Sequence, residues 1–474
     1  MISSQGNSNP SLSSHPSYSF PRSRLRKTLQ SVAFYGSLCT VIATALTWGD
    51  VNSPYEMLFV SLFFLLPAIR IADSMLGNGL VFADRRLVAP LLGLLLFAVF
   101  QTLPLSAIGL SGVTRGSTTF LSLNRYETVD FILLLGSLIL LGDTLLHLTK
   151  SEGRLKAIAA CVIVVGIGSA LFGIYRQEFI SDTGLRESNV LLTPYAQFLN
   201  RNHFALLMEM TLGLLLGLAL KARLSTALKI AFWMMIALCW YVIISANSRG
   251  GIISAAGMIV LAAFMHFVTR GSGYESAERE RRRSPARILR PIVVTAVLST
   301  LLLAILTISV AFIGGDTVVS RFENTNREFN PLDDGGASRA EIWEATMRVI
   351  RAYPIAGAGF GAFPQAVTEF DTYSNGKQRV LQAHNEYLEI AAAGGAIAVI
   401  LAAVFLWIFL RTAYKRYQAR GKLERAICFG AVTGISGVLL HSVVDFGLHV
   451  YVNAVVFVLL IVMASANVKD VEET

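Results

Sequence analysis

His384 and Asn385 stand side by side in "LQAHNEYLEIAAAGGAIAVI" (381–400), at the start of a long apolar run that already holds Glu386 and Glu389. Asn385 is the residue type that caps a helix N-terminus, and two acids in the first turns suit the positive end of a helix dipole. His384 is not needed for capping. An imidazole at that place can exchange a proton near neutral pH, and the water–lipid boundary suits a substrate with a lipid tail and a polar head. "ISANSRGGIIS" puts Arg249 between two apolar runs with almost no loop. An arginine at that depth is costly unless it pairs or faces a polar cavity, and a guanidinium can grip phosphate oxygens in bidentate fashion. "FLNRNHFALLMEM" sets Arg201, Asn202 and His203 at the head of another run, with Glu209 one to two turns inside it. Such an acid is expected to pair with a cation, an arginine of this set being the natural partner. "LLHSVVDFGLHVYVNA" repeats His441, Asp445 and His449 at every fourth position. On one continuous helix they would share a face, where His and Asp can bind zinc. Phe446-Gly447 reads as a turn, however, so the expectation is a polar network lining an outer cavity. No metal and no other cofactor is expected.

The elements that must position these groups are membrane helices. Hydrophobic residues make up 54% of the 474 and charged ones 15%, and mean hydropathy is +0.58; a soluble domain is about one-quarter charged. Apolar runs of spanning length recur. The expected fold is all-α: a polytopic helical membrane protein of about twelve transmembrane helices, GT-C-like, with one large extracytoplasmic loop containing short helices. The runs are Leu29–Trp48, Tyr55–Ile71, Leu87–Leu105, Val129–Leu148, Ala157–Tyr175, His203–Leu220, Ile230–Ala246, Gly250–Val268, Ile292–Ile313, Glu386–Leu410, Ala426–Val443 and Val450–Ala466. Residues 1–28, rich in Ser, Asn and Pro near the start, read as a disordered cytoplasmic tail. Segment 29–313 carries helices one to nine, 314–385 the large loop, 386–466 the last three helices and 467–474 a second cytoplasmic tail. With both termini in the cytoplasm, most of the 40 lysines and arginines fall in cytoplasmic segments, as the positive-inside rule requires. The net charge of +9 is therefore topological, and nucleic acid is not an expected partner. The four cysteines lie inside apolar runs and read as small core residues without a disulfide framework.

Within the large loop, "SRAEIWEATMRVIRAY" reads as an amphipathic helix. Ser338 and Glu341 have capping-box spacing, and Trp343, Met347 and Ile350 form an apolar stripe. Arg339 on this helix can face an anion. "YPIAGAGFGAF" carries Gly357, Gly359 and Gly361. A nucleotide loop would need a preceding strand and a following helix; an arginine-rich helix precedes this one, so a tight turn bringing backbone close to the bundle is expected instead.

Taken together, these residues resemble the O-antigen ligase and polymerase superfamily of integral-membrane glycosyltransferases. "SRGG" (248–251) is similar to the family's arginine after a central span. "SRAEIW" with "YPIAGAGFGAF" is similar to its large outer loop, and "HNEYLEIAAAGG" to its histidine motif, whose glycine is here Gly395. "HSVVDFGLHVYVNA" resembles a C-terminal segment common in the family, and Ala398 stands where a second small residue is often Gly.

The resemblance implies glycan transfer from a polyprenyl (undecaprenyl) diphosphate carrier to lipid A core or to a carrier-linked glycan, on the outer side of a bacterial inner membrane, with other polysaccharide-assembly proteins as further partners. A diphosphate leaving group needs positive charge where charge develops. The expected site has His384 as the group that accepts the acceptor's proton and Arg249, Arg339 and, as third choice, Arg321 on the diphosphate. Asn385, Arg201, His203, His441 and Asp445 support them. Direct displacement without a metal would invert the anomeric carbon. The competing readings are a transporter of bicarbonate or of a lipid-linked glycan, and a non-catalytic partner in polysaccharide export. Transporters favour internal repeats and polar sites at mid-membrane, whereas the polar residues here cluster at one boundary. The sequence leaves ligase versus polymerase open.

Overall fold

The computed structural model describes residues 20–47, 55–75, 82–109, 118–179, 195–269, 339–372, 379–418 and 421–468. Among them every regular element is helical. In chain order they are α1 (Phe20–Ala45), α2 (Glu56–Met75), α3 (Arg85–Gln101), α4 (Arg125–Leu148), α5 (Glu152–Phe179), α6 (Arg201–Lys221), α7 (Thr226–Ser245), α8 (Arg249–Thr269), α9 (Arg339–Ala352), α10 (Phe363–Thr368), α11 (Glu386–Gln418), α12 (Lys422–His441) and α13 (Tyr451–Ser465). Among the described residues, eight helices are long and apolar enough to cross a membrane, and Glu56–Ile69 and Tyr451–Ser465 are shorter apolar helices. The protein is a polytopic helical membrane protein. Eleven of the twelve apolar runs coincide with helices; Ile292–Ile313 lies outside the described residues, as do Arg321, the first part of the large loop and most of the two tails. Three of the cysteines are buried as expected, but Cys39 is exposed on α1.

Helix α6 is the centre of the bundle, packed against α5, α7, α8, α12 and α13 and buried along nearly its whole length. Its closest neighbour is α12, and small residues explain the approach. Gly213 lies against the Gly434 backbone and Gly217 against that of Gly430, so that a Cβ at either position would collide. Each helix thus carries glycines four apart, the small-xxx-small spacing that lets apolar helices touch backbone to backbone.

Helix α11 is broken, and the glycine loop repairs it. In an unbroken helix the N–H groups of Ala396 and Ile397 would donate to the carbonyls of Ala392 and Ala393. Here Ala396 donates to Pro354 O at 2.9 Å and Ile397 to Ile355 O at 3.4 Å, while the freed carbonyls accept from Ala358 N at 2.8 Å and Gly359 N at 2.9 Å. The break is at Gly395, with φ 59° and ψ −158°, a backbone region essentially restricted to glycine. Two helix bonds become four bonds to "YPIAGAGFGAF", so no polar backbone group is stranded where lipid could not satisfy it. Buried Gln101, at the end of α3, closes the joint. Its Nε2 donates to Ala356 O (2.7 Å) and Ala393 O (3.0 Å), and its Oε1 accepts from Phe360 N (3.1 Å). The glycine segment is the close backbone approach expected of it, with Gly357, Gly359 and Gly361 all at positive φ.

The helix expected in the large loop, α9, forms but in a different phase. Its buried positions are Ile342, Ala345, Thr346 and Val349, and Met347 is exposed. The stripe is rotated by about one position because the helix is docked by its contact with α11 and α10, not by the largest apolar side chains. Ser338 of the expected capping box lies outside the described residues.

Candidate active site

Three helices begin with polar caps at one end of the bundle. Asn200 accepts from Asn202 N at 2.9 Å to start α6. Ser248 accepts from Gly251 N at 3.1 Å to start α8. Asn385 accepts from Tyr387 N at 3.0 Å and Leu388 N at 3.1 Å to start α11, the capping role expected of it. These starts are tied together. Ser248 Oγ donates to Asn202 Oδ1 at 2.8 Å, and Glu386 N donates to Ser442 O, just past α12, at 2.9 Å. The near absence of a loop between α7 and α8 is made possible by Asn247 at φ 55°, the left-handed conformation that Asn tolerates after a helix. The opposite end of the bundle holds Lys221, which donates to His266 O at 3.5 Å, and Arg416, which donates to Asn467 Oδ1 at 2.7 Å.

At the capped end, Asp445 lies between two imidazoles. His384 Nδ1 is 3.6 Å from its Oδ1 and His203 Nε2 is 3.5 Å from its Oδ2. Asp445 and His203 are buried, whereas the His384 side chain keeps 31% exposure. The Phe446 ring is wedged between the histidines, edge-on to each with centroids 4.8 Å apart. His384 adopts φ 49°, uncommon for a residue with a side chain. It is held there from both sides, by the Asn385 cap and by Trp343 Nε1, which donates to Ala383 O at 3.0 Å. Burial works against a charge on Asp445, but the adjacent His384, His203 and His441 imidazoles outweigh it. The carboxyl is held well below the usual carboxylate range and is ionised at neutral pH.

His441, Asp445 and His449 do not share a face. Helix α12 ends at His441, earlier than the Phe446-Gly447 turn read from the sequence, and each of the three takes different partners. His441 Nδ1 meets Glu209 Oε1 at 2.8 Å. His449 Nε2 faces Glu386 Oε2 at 3.4 Å and Glu389 Oε1 at 3.8 Å. Glu209 therefore corrects one expectation: its carboxylate is held by His441 and by Ser254 Oγ at 2.7 Å, not by an arginine. Among the described residues no group of three His, Cys, Asp or Glu has an arrangement that could hold a metal ion.

Of the expected arginines, Arg249, Arg339 and Arg201 each open a different helix. Arg249 is the first residue of α8, next to Gly250, where a Cβ would lie 3.2 Å from His441 Nε2. Arg339 is the first residue of α9, four before Trp343, so both project from one face; Trp343 bonds to the residue before His384. Arg201 opens α6 two residues before His203. Phe446, Ser254 and Gln101 were not singled out from the sequence. An apolar residue beside Asp445 and a hydroxyl inside an apolar helix carry no local signal of their partners.

His449 gives the site a pH signature. Burial opposes its protonation, but the Glu386 and Glu389 carboxylates raise it to about 9. A pKa raised above the ordinary value of about 6.5 stabilises the fold below that pH and is lost as pH rises through about 9. The thermal midpoint of the detergent-solubilised protein is expected to fall between about pH 7 and 10, and His449→Gln to flatten that slope. An unchanged slope in the variant would show that His449 is not its source.

The geometry gathers residues from separated parts of the chain, and the comparison with known families falls on its middle. Residues 234–403 match the family model described as O-Antigen ligase. That stretch of the chain is similar to the O-antigen ligase family. The matched stretch runs from within α7 through the large loop to mid-α11 and contains Arg249, Arg321, Arg339, His384 and Asn385. Arg201, His203, His441 and Asp445 lie outside it in sequence, while His441 lies against Gly250 and Asp445 faces His384 within it. No curated protein matches the chain.

Proposed function

We propose that the protein is a glycosyltransferase that moves a glycan from a polyprenyl diphosphate carrier to an acceptor hydroxyl at the periplasmic face of a bacterial inner membrane, as an O-antigen ligase or a surface-polysaccharide polymerase. The observation that carries this reading is the convergence at one bundle end of a carboxylate-held, partly exposed imidazole with the helix starts that bear Arg249 and Arg339. The positive-inside rule puts that end outside, with both termini in the cytoplasm. The starts of α6, α8 and α11 bring helix-dipole positive ends to the same region, which favours an anion.

In this reading Asp445 turns His384 Nδ1 inward, leaving Nε2 to face the acceptor. The acceptor oxygen attacks the anomeric carbon as its proton passes to Nε2. The new C–O bond forms as the bond to the diphosphate breaks, with inversion at carbon. The departing polyprenyl diphosphate carries its charge against Arg249 and Arg339, with Arg321 as the third cation. Guanidinium groups thus supply the electrostatic stabilisation without a metal, and transfer should survive chelation of divalent ions.

Glycan profiles of a deletion strain test the assignment and resolve its two forms. Unattached carrier-linked polymer identifies a ligase; accumulated single repeats identify a polymerase. An unaltered lipopolysaccharide and exopolysaccharide profile would refute both.

A further inference from the structure

Glu209 is fully buried eight residues into α6, about 12 Å along the helix from its start. The transfer chemistry above does not use it. A buried intramembrane acid is costly, and packing does not require it, since the glycine pairs already close α6 against α12. Glu209 instead joins a third helix to that seam. Its Oε1 meets His441 Nδ1 of α12 at 2.8 Å and Ser254 Oγ of α8 at 2.7 Å. The Gly250 carbonyl, one residue from Arg249, also lies 2.7 Å from Ser254 Oγ and shares its single hydroxyl proton with Glu209. Gly250 lies against His441 and Val444, and Gly251 against Ala205 of α6. With no side chain as cushion at either glycine, the outer turn of α8 transmits any shift directly to Arg249.

We propose that Glu209 is a positioning residue for the lipid-diphosphate donor: by bonding Ser254 and His441 together it fixes the outer turn of α8 and thereby the placement of Arg249. This rests on the donor-binding role given to Arg249 above. An apolar residue would fill the space at lower cost but would leave α8 free to slide by the fraction of an ångström that a bidentate phosphate contact does not tolerate.

The test is a double-mutant cycle on full-length protein in nanodiscs, with the affinity for polyprenyl diphosphate as readout. Ser254→Ala removes only the α8 branch, and Glu209→Gln keeps the shape of the side chain. Each is expected to weaken binding about tenfold, the scale of coupling between residues of one network. Ser254→Thr, which retains the hydroxyl, should restore it. Added to Arg249→Ala, neither should weaken binding further. Wild-type affinity in both single variants would overturn the proposal. So would additive losses on the Arg249→Ala background, which would mark a general structural role that bypasses Arg249. If Arg249→Ala alone leaves donor binding unchanged, the donor-binding reading itself fails, and this inference falls with it.

Discussion

Replacing His384 by alanine is expected to lower glycan transfer by about a hundred- to ten-thousand-fold, the contribution of a positioned general base, with little change in affinity for polyprenyl diphosphate. The expectation follows from the division of labour in the site. His384 faces Asp445 through Nδ1 and keeps partial exposure, so in the proposed mechanism its loss removes the proton acceptor and leaves the cations in place. Asp445→Asn should act in the same direction with a smaller effect. It keeps the shape but gives up the negative charge that orients the imidazole and stabilises it once protonated. The measurement is transfer rate against donor concentration for purified variants. An unchanged maximal rate in His384→Ala would remove the imidazole from the mechanism.

The second large effect is expected at Arg249. Alanine there should weaken donor binding by about 2–5 kcal/mol, the usual cost of truncating one partner of a buried hydrogen-bonded charge pair. Lysine should recover only part of it, because an ammonium cannot reproduce the planar two-point contact of a guanidinium. Arg339→Ala should fall in the same class with a smaller loss, since Arg339 stands on the outer-loop helix rather than in the bundle. Equal donor affinity in wild type, Arg249→Ala and Arg339→Ala would separate both arginines from the diphosphate.

Much of the fold could be read in the sequence because its signals are local. Apolar runs of spanning length became helices, Asn385 became the cap of α11, and the three glycines of "YPIAGAGFGAF" became a close backbone approach. What could not be read depends on partners distant in sequence. Nothing near Gly395 announces that α11 exchanges two of its own hydrogen bonds for four to the glycine segment, or that Gln101 seals the joint. Met347 was expected inside and is exposed, because the phase of α9 is set by its neighbours α10 and α11. Glu209 was expected to meet an arginine; the glycine contacts between α6 and α12 set the register that brings it to His441 instead. The sequence places His384 at a boundary, but only packing shows that His203 and Asp445, one before and one after it in the chain, reach the same point through Phe446.

The most direct test is reconstitution of the purified protein in liposomes with a polyprenyl-diphosphate-linked glycan and a hydroxyl-bearing glycolipid acceptor. Released polyprenyl diphosphate and the anomeric configuration of the product would be followed together. The account predicts one polyprenyl diphosphate released per glycan transferred, with inversion, and near-complete loss of both signals in His384→Ala and in Arg249→Ala at equal protein abundance. Solute or lipid-linked glycan crossing the bilayer without transfer, or transfer that persists in both variants, would contradict it.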